Sequence, residues 1–96
     1  MKQGNYYITT PIYYPSGNPH MGHAYSSILA DVFARFKRND NFEVFFLTGT
    51  DEHGLKIQKA AEKNNLEPLK YCDGISKVFN ELTKKLNLSN DDFIRT

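Results

Sequence analysis

The hydrophobic and polar positions of this chain predict strands and helices in turn. Residues 6–10 are aromatic and β-branched and predict a strand. Apolar side chains then recur at helical spacing from about His20 to Arg38, with Asn18 in the N-cap position and Pro19 at the first helical position. The apolar stripe, which we expect to form the core, consists of Ala24, Ile28, Leu29, Val32, Phe33 and Phe36.

The rest of the chain predicts one further strand, two helices and a final strand. The apolar run of residues 42–47 is typical of a parallel strand covered on both faces, and residues 48–54 predict a loop. Helices follow over about 54–64 and 68–86, and residues 91–96 resemble a strand. The order βαβααβ indicates an α/β fold, namely the first half of a Rossmann-like, doubly wound parallel sheet. Three strands leave exposed edges and an incomplete second face, so residues 1–96 are expected to be a truncated N-terminal part of a longer domain.

Composition limits the classes of protein to which the chain can belong. It has 96 residues and a formal net charge of +1, which excludes a strongly basic nucleic-acid-binding domain. The longest apolar run, residues 44–47, is too short to cross a bilayer, and the N-terminus lacks a signal or transit peptide pattern. The single cysteine, Cys72, cannot form an internal disulfide. A cytoplasmic protein is therefore expected.

The most informative stretch is the start of the first helix. The unpaired N–H groups and the positive dipole end of a helix favour anions. His20 and His23 lie three residues apart and add donors there, while Gly22 lets a phosphate or a flat ring approach the backbone. Asp51 and His53 follow the second strand, so we expect them at the same edge of the sheet. The pattern predicts a phosphate-binding site.

A metal site is the main alternative for these side chains. His20 and His23 could be combined on paper with Asp51, His53 or Cys72 into a zinc-binding set. The CxxC and HExxH spacings typical of zinc sites are absent, and so are the GxGxxG and GxxxxGK[ST] phosphate-binding loops. We therefore expect no metal site in this chain.

The segment Pro19-His20-Met21-Gly22-His23 resembles the HIGH motif of the class I aminoacyl-tRNA synthetases. Residues 9–14 before it and residues 47–54 after it are similar to the methionine-specific branch of that family. The whole motif region comprises Tyr13, Tyr14, Pro15, Ser16, Gly17, Asn18, Pro19, His20, Met21, Gly22 and His23.

The resemblance implies a methionine–tRNA ligase, which activates methionine with ATP to methionyl adenylate and passes the methionyl group to tRNA. It implies that His20 and His23 bind ATP and are catalytic, stabilising the α-phosphate and the departing pyrophosphate. It also implies that Gly22 lets adenine pack near the helix start. Mg²⁺ would accompany the triphosphate.

The resemblance further implies a methionine site formed by Ile12, Tyr14 and Asp51. Asp51 would hold the substrate ammonium group, and Ile12 and Tyr14 would contact the methionine. From the residues alone, Tyr13 and Tyr14 could equally be packing residues. His53 could cap the next helix or order its loop.

Three features of the resembled family are missing from these 96 residues: the Lys-Met-Ser-Lys-Ser loop, a Cys-rich insertion that could carry zinc, and the anticodon-binding helices. The chain alone is therefore expected to be inactive, with most tRNA contacts made elsewhere. The alternatives are another HxGH-type class I synthetase or nucleotidyltransferase, a non-catalytic tRNA-binding paralogue, and a truncated product without activity. The oligomeric state is not predicted.

Overall fold

The computed structural model describes residues 2–96 and confirms the predicted order βαβααβ. Its elements are β1 (Asn5–Thr9), α1 (Met21–Asn39), β2 (Glu43–Thr50), α2 (Leu55–Lys63), α3 (Pro68–Lys85) and β3 (Asp92–Arg95). The second strand is longer than predicted and includes residues 48–50 of the predicted loop. These residues are extended because each pairs with β3 in parallel register, from Thr48↔Phe93 to Thr50↔Arg95.

The three strands form a parallel sheet in the order β1-β2-β3. Alternate residues of β2 share one face of the sheet. On that face Phe46 packs against Ala30 and Ala34 of α1, and the hydroxyl of Thr50 lies 3.0 Å from that of Ser76 of α3. Both helices therefore cover the same face, as right-handed crossovers between successive neighbouring strands require.

The opposite face of the sheet is uncovered by the described residues. Tyr7 and Phe45 lie side by side on it, with ring centroids 6.0 Å apart, and are 61% and 46% exposed. Ile94 on β3 is also exposed. Within residues 2–96 the apolar run of β2 is therefore not covered on both faces, because α1 and α3 lie on one side of the sheet; the expected incomplete second face is confirmed.

The predicted core stripe of α1 is also wrong. The buried residues of α1 are Ser27, Ala30, Asp31 and Ala34, whereas Ile28, Leu29, Val32, Phe33 and Phe36 are exposed and Ala24 is half-buried. Small side chains let the helix approach the sheet closely. The buried carboxylate is satisfied, since Asp31 Oδ1 accepts the backbone N–H of Ser89 at 2.8 Å. Hydrophobicity alone therefore selected the wrong face of this helix.

Asparagines mark the turns after all three helices. Asn41, Asn65 and Asn87 have φ values of 66°, 56° and 52°, in the left-handed region that asparagine tolerates better than most residues. The third helix runs without interruption through Gly74. None of the helices within residues 2–96 has the length and apolar character needed to cross a membrane.

Candidate active site

The first helix begins later than predicted, and His20 is its N-cap. The helix starts at Met21, so Asn18 and Pro19 precede it and are neither the cap nor the first turn. The backbone N–H of Gly22 donates to Nδ1 of His20, and the backbone N–H of His20 donates to Nδ1 of His23, both at 3.0 Å. This reciprocal capping box stabilises the helix start two residues beyond the asparagine.

The capping bonds assign the tautomers of both histidines. A ring nitrogen that accepts a hydrogen bond carries no proton, so each neutral imidazole holds its proton on Nε2. The two rings stack with centroids 3.9 Å apart and an interplanar angle of 23°. Two Nε2–H donors are therefore presented side by side at the positive end of the α1 dipole.

Aromatic packing fixes His23 within this pair. Its ring centroid lies 4.8 Å from that of Tyr13 and 5.0 Å from that of Phe79, which meets it edge-on. Tyr13 is itself buried, with its hydroxyl 3.0 Å from that of Ser27. Burial, and then the neighbouring His20, lower the pKa of His23 below its usual 6.5. At neutral pH, His23 is consequently an uncharged hydrogen-bond donor.

The structure explains why the residue between the two histidines is a glycine. A Cβ built on Gly22 would lie 2.9 Å from Cε1 of His20 and 3.1 Å from its Nδ1. Any side chain at this position would displace the His20 ring from its capping position. The approach of adenine to Gly22 stays a prediction.

A cavity of about 490 Å³ opens beside the histidine pair. Its walls are Pro11, Ile12, Tyr13, Tyr14, Ser16, Gly17, Asn18, His20, His23 and Lys56. The structure thus brings the predicted ATP residues His20 and His23 to the same cavity as Ile12 and Tyr14. It also adds Lys56, the second residue of α2.

The loop carrying Asp51 is joined to this region through the backbone of Tyr13. Tyr13 N–H donates to the carbonyl of Gly49 at 3.0 Å, and Asp51 N–H donates to the carbonyl of Tyr13 at 2.8 Å. The half-buried Asp51 is therefore hydrogen-bonded through its backbone to a residue of the cavity wall, but it does not itself line the cavity.

Glu52, which the sequence analysis did not assign, is the most strongly bonded side chain of that loop. Its carboxylate accepts from the hydroxyls of Thr50 and Ser76 and from Nε and Nη2 of Arg95, at 2.6–2.8 Å. Although its burial opposes ionisation, these donors lower the pKa of Glu52 to about 2. Glu52 is therefore a permanently ionised group at neutral pH.

His53 lies apart from the histidine pair. It is exposed, lines a separate small cavity with Pro68 and Leu69, and forms no hydrogen bond with residues 2–96. The N-cap of α2 is Gly54, which has no side-chain capping bond. A role for His53 in ordering the loop stays a prediction.

Across residues 2–96, no three His, Cys, Asp or Glu side chains are grouped so that they could hold a metal ion. Cys72, the remaining member of the zinc set considered from sequence, is buried, with its Sγ 3.8 Å from the carbonyl oxygen of Glu52.

Comparison with protein families decides the identity of this fold and motif. The family described as "tRNA synthetases class I (M)" matches residues 6–96, which include the histidine pair, the cavity walls and the Asp51 loop. The chain belongs to this family.

Individual relatives agree with this assignment. The chain is 56% identical over 94 residues to the Methionine--tRNA ligase of Rickettsia felis and 57% identical over 91 residues to that of Lactiplantibacillus plantarum. These matches cover 98% and 95% of this chain but only 18% and 13% of the relatives. The chain therefore spans less than one fifth of the length of these synthetases.

A solved structure confirms the Rossmann-like fold. The methionyl-tRNA synthetase of Mycobacterium tuberculosis in complex with methionyl-adenylate superposes with a TM-score of 0.95 and 50% sequence identity. The match covers the whole of this chain and 18% of the solved chain. The small parallel sheet thus matches one part of the larger solved synthetase chain.

Sequence reasoning missed Tyr13 as a support for His23, and also Phe79, Glu52 and Arg95. The sequence did contain a signal for Glu52, because this residue directly follows Asp51. Phe79 and Arg95 carried none, because their partners lie 56 and 43 residues away in the chain, at His23 and Glu52.

Proposed function

We propose that this chain supplies the start of the active site of a methionine–tRNA ligase. In the proposed reaction, methionine and ATP form methionyl adenylate and pyrophosphate, and the methionyl group then passes to tRNA. The observation that carries the proposal is the paired Nε2–H donors of His20 and His23, set at the wall of the cavity that Ile12 and Tyr14 also line. The family assignment supports it.

The histidines act on the phosphates during the first step. A methionine carboxylate oxygen attacks the α-phosphorus, a new P–O bond forms, and the bond to the bridging oxygen breaks as pyrophosphate leaves. Negative charge grows on the α-phosphate and on the leaving oxygens. Donors already aimed at that charge lower the barrier, and losing one costs about 10²–10³ in rate. Neither histidine has to move a proton.

The methionine site uses other residues of the same cavity. Ile12 and Tyr14 provide apolar and aromatic surface suited to a thioether. Asp51 pairs with the α-ammonium group from the end of β2. Methionine is thus held at two points, one of which requires its amine.

Several parts of the proposed reaction lie beyond these residues. ATP enters as its Mg²⁺ complex, and the chain's own contribution to the phosphates is the histidine pair. The chain alone is inactive, tRNA is bound mainly by other parts of the synthetase, and any zinc belongs to an insertion outside these residues. The reaction takes place in the cytoplasm.

A chimaera tests the proposal directly. The matching 94-residue segment of the Rickettsia felis relative is replaced by this chain, and pyrophosphate exchange into ATP is measured with each of the twenty amino acids. We expect exchange with methionine and its loss in the His20→Ala form. The isolated 96-residue chain should show no exchange.

The outcomes separate the alternatives. A folded chimaera without exchange would indicate a non-catalytic paralogue or a decayed segment. Exchange with another amino acid would keep the nucleotide chemistry but reject the methionine site. Full activity of the His20→Ala form would reject the role of the histidine pair.

A further inference from the structure

Both oxygens of the Glu52 carboxylate are bonded to groups of the protein. Its Oε2 accepts from Thr50 Oγ1 at 2.7 Å, Ser76 Oγ at 2.6 Å and Arg95 Nε at 2.7 Å, while its Oε1 accepts from Arg95 Nη2 at 2.8 Å. The side chain is only 6% exposed. With four hydrogen bonds from the protein and its surface covered, Glu52 is committed to the fold and not to a substrate.

The partner of Glu52 connects three elements of the fold. Arg95 is the last residue of β3, and its fork-shaped guanidinium grips Glu52 at the end of β2 in a bidentate pair. The same Nη2 reaches Asp73 of α3 at 2.7 Å. The position of Glu52 is therefore set by β3 and α3 together.

The Glu52–Arg95 pair is adjacent to Asp51, the aspartate proposed to bind the substrate ammonium group. Thr96, which follows Arg95, accepts the backbone N–H of Glu52 at 2.9 Å, and its hydroxyl lies 3.5 Å from Oδ1 of Asp51. On the other side, Asp51 N–H donates to the carbonyl of Tyr13 at 2.8 Å. Asp51 is thus held between the cavity wall and the Glu52–Arg95 pair.

We infer that Glu52 and Arg95 are positioning residues that fix the Asp51 carboxylate to receive the ammonium group of the substrate. A carboxylate on a free loop must be ordered during binding, which lowers affinity. A carboxylate held by a saturated ion pair is ordered in advance. The inference rests on the proposed function, and it predicts a penalty confined to ligands that carry an amine.

The test uses the chimaera with Glu52→Gln and, separately, Arg95→Lys. Glutamine keeps the shape of Glu52 without its charge, and lysine keeps the charge of Arg95 without its fork. The matched control is Arg38→Lys, since Arg38 pairs with Asp91 at 2.9 Å at the other end of the sheet. Methionine and ATP are varied independently in pyrophosphate exchange.

Two inhibitors separate positioning from general damage. Methioninol keeps the amine of methionine and lacks its carboxylate, whereas 4-(methylthio)butanoate lacks the amine. For both variants we expect the KM for methionine and the inhibition constant of methioninol to rise about tenfold, as for one lost hydrogen bond to a charged group. The KM for ATP and the inhibition constant of 4-(methylthio)butanoate should not change, and Arg38→Lys should behave as the parent.

Each outcome decides something. Unchanged constants in an active chimaera would overturn the inference and leave the proposed function standing. If both inhibition constants and the KM for ATP rose equally and the Tm fell, the Glu52–Arg95 pair would be purely structural. That result would also overturn the inference. No methionine-dependent exchange in the parent chimaera would reject the proposed function, and this inference with it.

Discussion

The backbone N–H of His20 donates to Nδ1 of His23 at 3.0 Å, while Nδ1 of His20 accepts the N–H of Gly22. Each histidine thus uses its Nδ1 for the helix start and leaves its Nε2 out of these bonds. Capping by His20 and its proposed donation to phosphate can be separated by substitution.

Asparagine at position 20 should keep the cap and remove the imidazole donor. We expect His20→Asn to leave the free energy of unfolding within about 0.5 kcal/mol of the parent, and His20→Ala to lower it by about 1 kcal/mol. Both should reduce exchange by the chimaera about 10²–10³-fold. Urea unfolding of the chain and exchange by the chimaera measure the two effects. Exchange by His20→Asn at the parent rate would contradict the donor role.

Gly22→Ala should impair exchange with little change in stability. The added methyl group would meet Cε1 of His20 at 2.9 Å and push the ring from its capping position. The lost cap costs about 1 kcal/mol, but alanine recovers a similar amount through its higher helix propensity. Gly74→Ala is the control, because nothing lies within 4 Å of its Cβ, and it should stabilise the chain by about 0.5–1 kcal/mol. An active Gly22→Ala chimaera would show that the ring position is unimportant.

Gly49→Ala should weaken the pairing of β2 with β3. A Cβ on Gly49 would collide with the carbonyl oxygen and the side chain of Ile94. We expect a loss of about 2–3 kcal/mol in the free energy of unfolding, as for other overpacked positions. Gly17→Ala, with nothing within 4 Å, should change it by less than about 0.5 kcal/mol. Equal stabilities of the two variants would contradict the close approach of the strands.

Glu52 should make the chain more stable at neutral than at acid pH. Its pKa falls from 4.5 to about 2 on folding, so its contribution is present above pH 4.5 and is lost as the pH falls towards 2. The contribution is at most about 3 kcal/mol. The pKa of Asp31 is also lowered, but Asp31 remains in both proteins when Glu52→Gln is compared with the parent. Urea unfolding from pH 7 to pH 3 should show a smaller loss for Glu52→Gln, and parallel curves would contradict the assignment.

Local sequence patterns were sufficient for the elements and for the histidine pair. The β-branched and apolar runs of the strands, the helical spacing of apolar residues and the asparagines at the turns depend only on neighbouring residues. The same is true of the spacing of His20, Gly22 and His23, which places them in one helical turn whatever the rest of the chain does.

The faces of the elements were decided only by tertiary structure. The apolar stripe of α1 was expected inside, yet close packing on the sheet placed Ala30, Ala34 and the satisfied Asp31 there instead. Likewise the apolar run of β2 is typical of a strand covered on both faces, but both crossovers lie on one side of the sheet. Periodicity identifies an apolar face without indicating which neighbour, if any, covers it.

The sequence by itself therefore determined the order of elements, the helix-start histidines and the loop that carries Asp51. Only the tertiary structure decided how these residues are held: the Tyr13 and Phe79 rings around His23, and Arg95 on Glu52. The physical reason is distance along the chain. Capping and periodicity act within a few residues, whereas these contacts join side chains up to 56 residues apart, which meet only when the sheet forms.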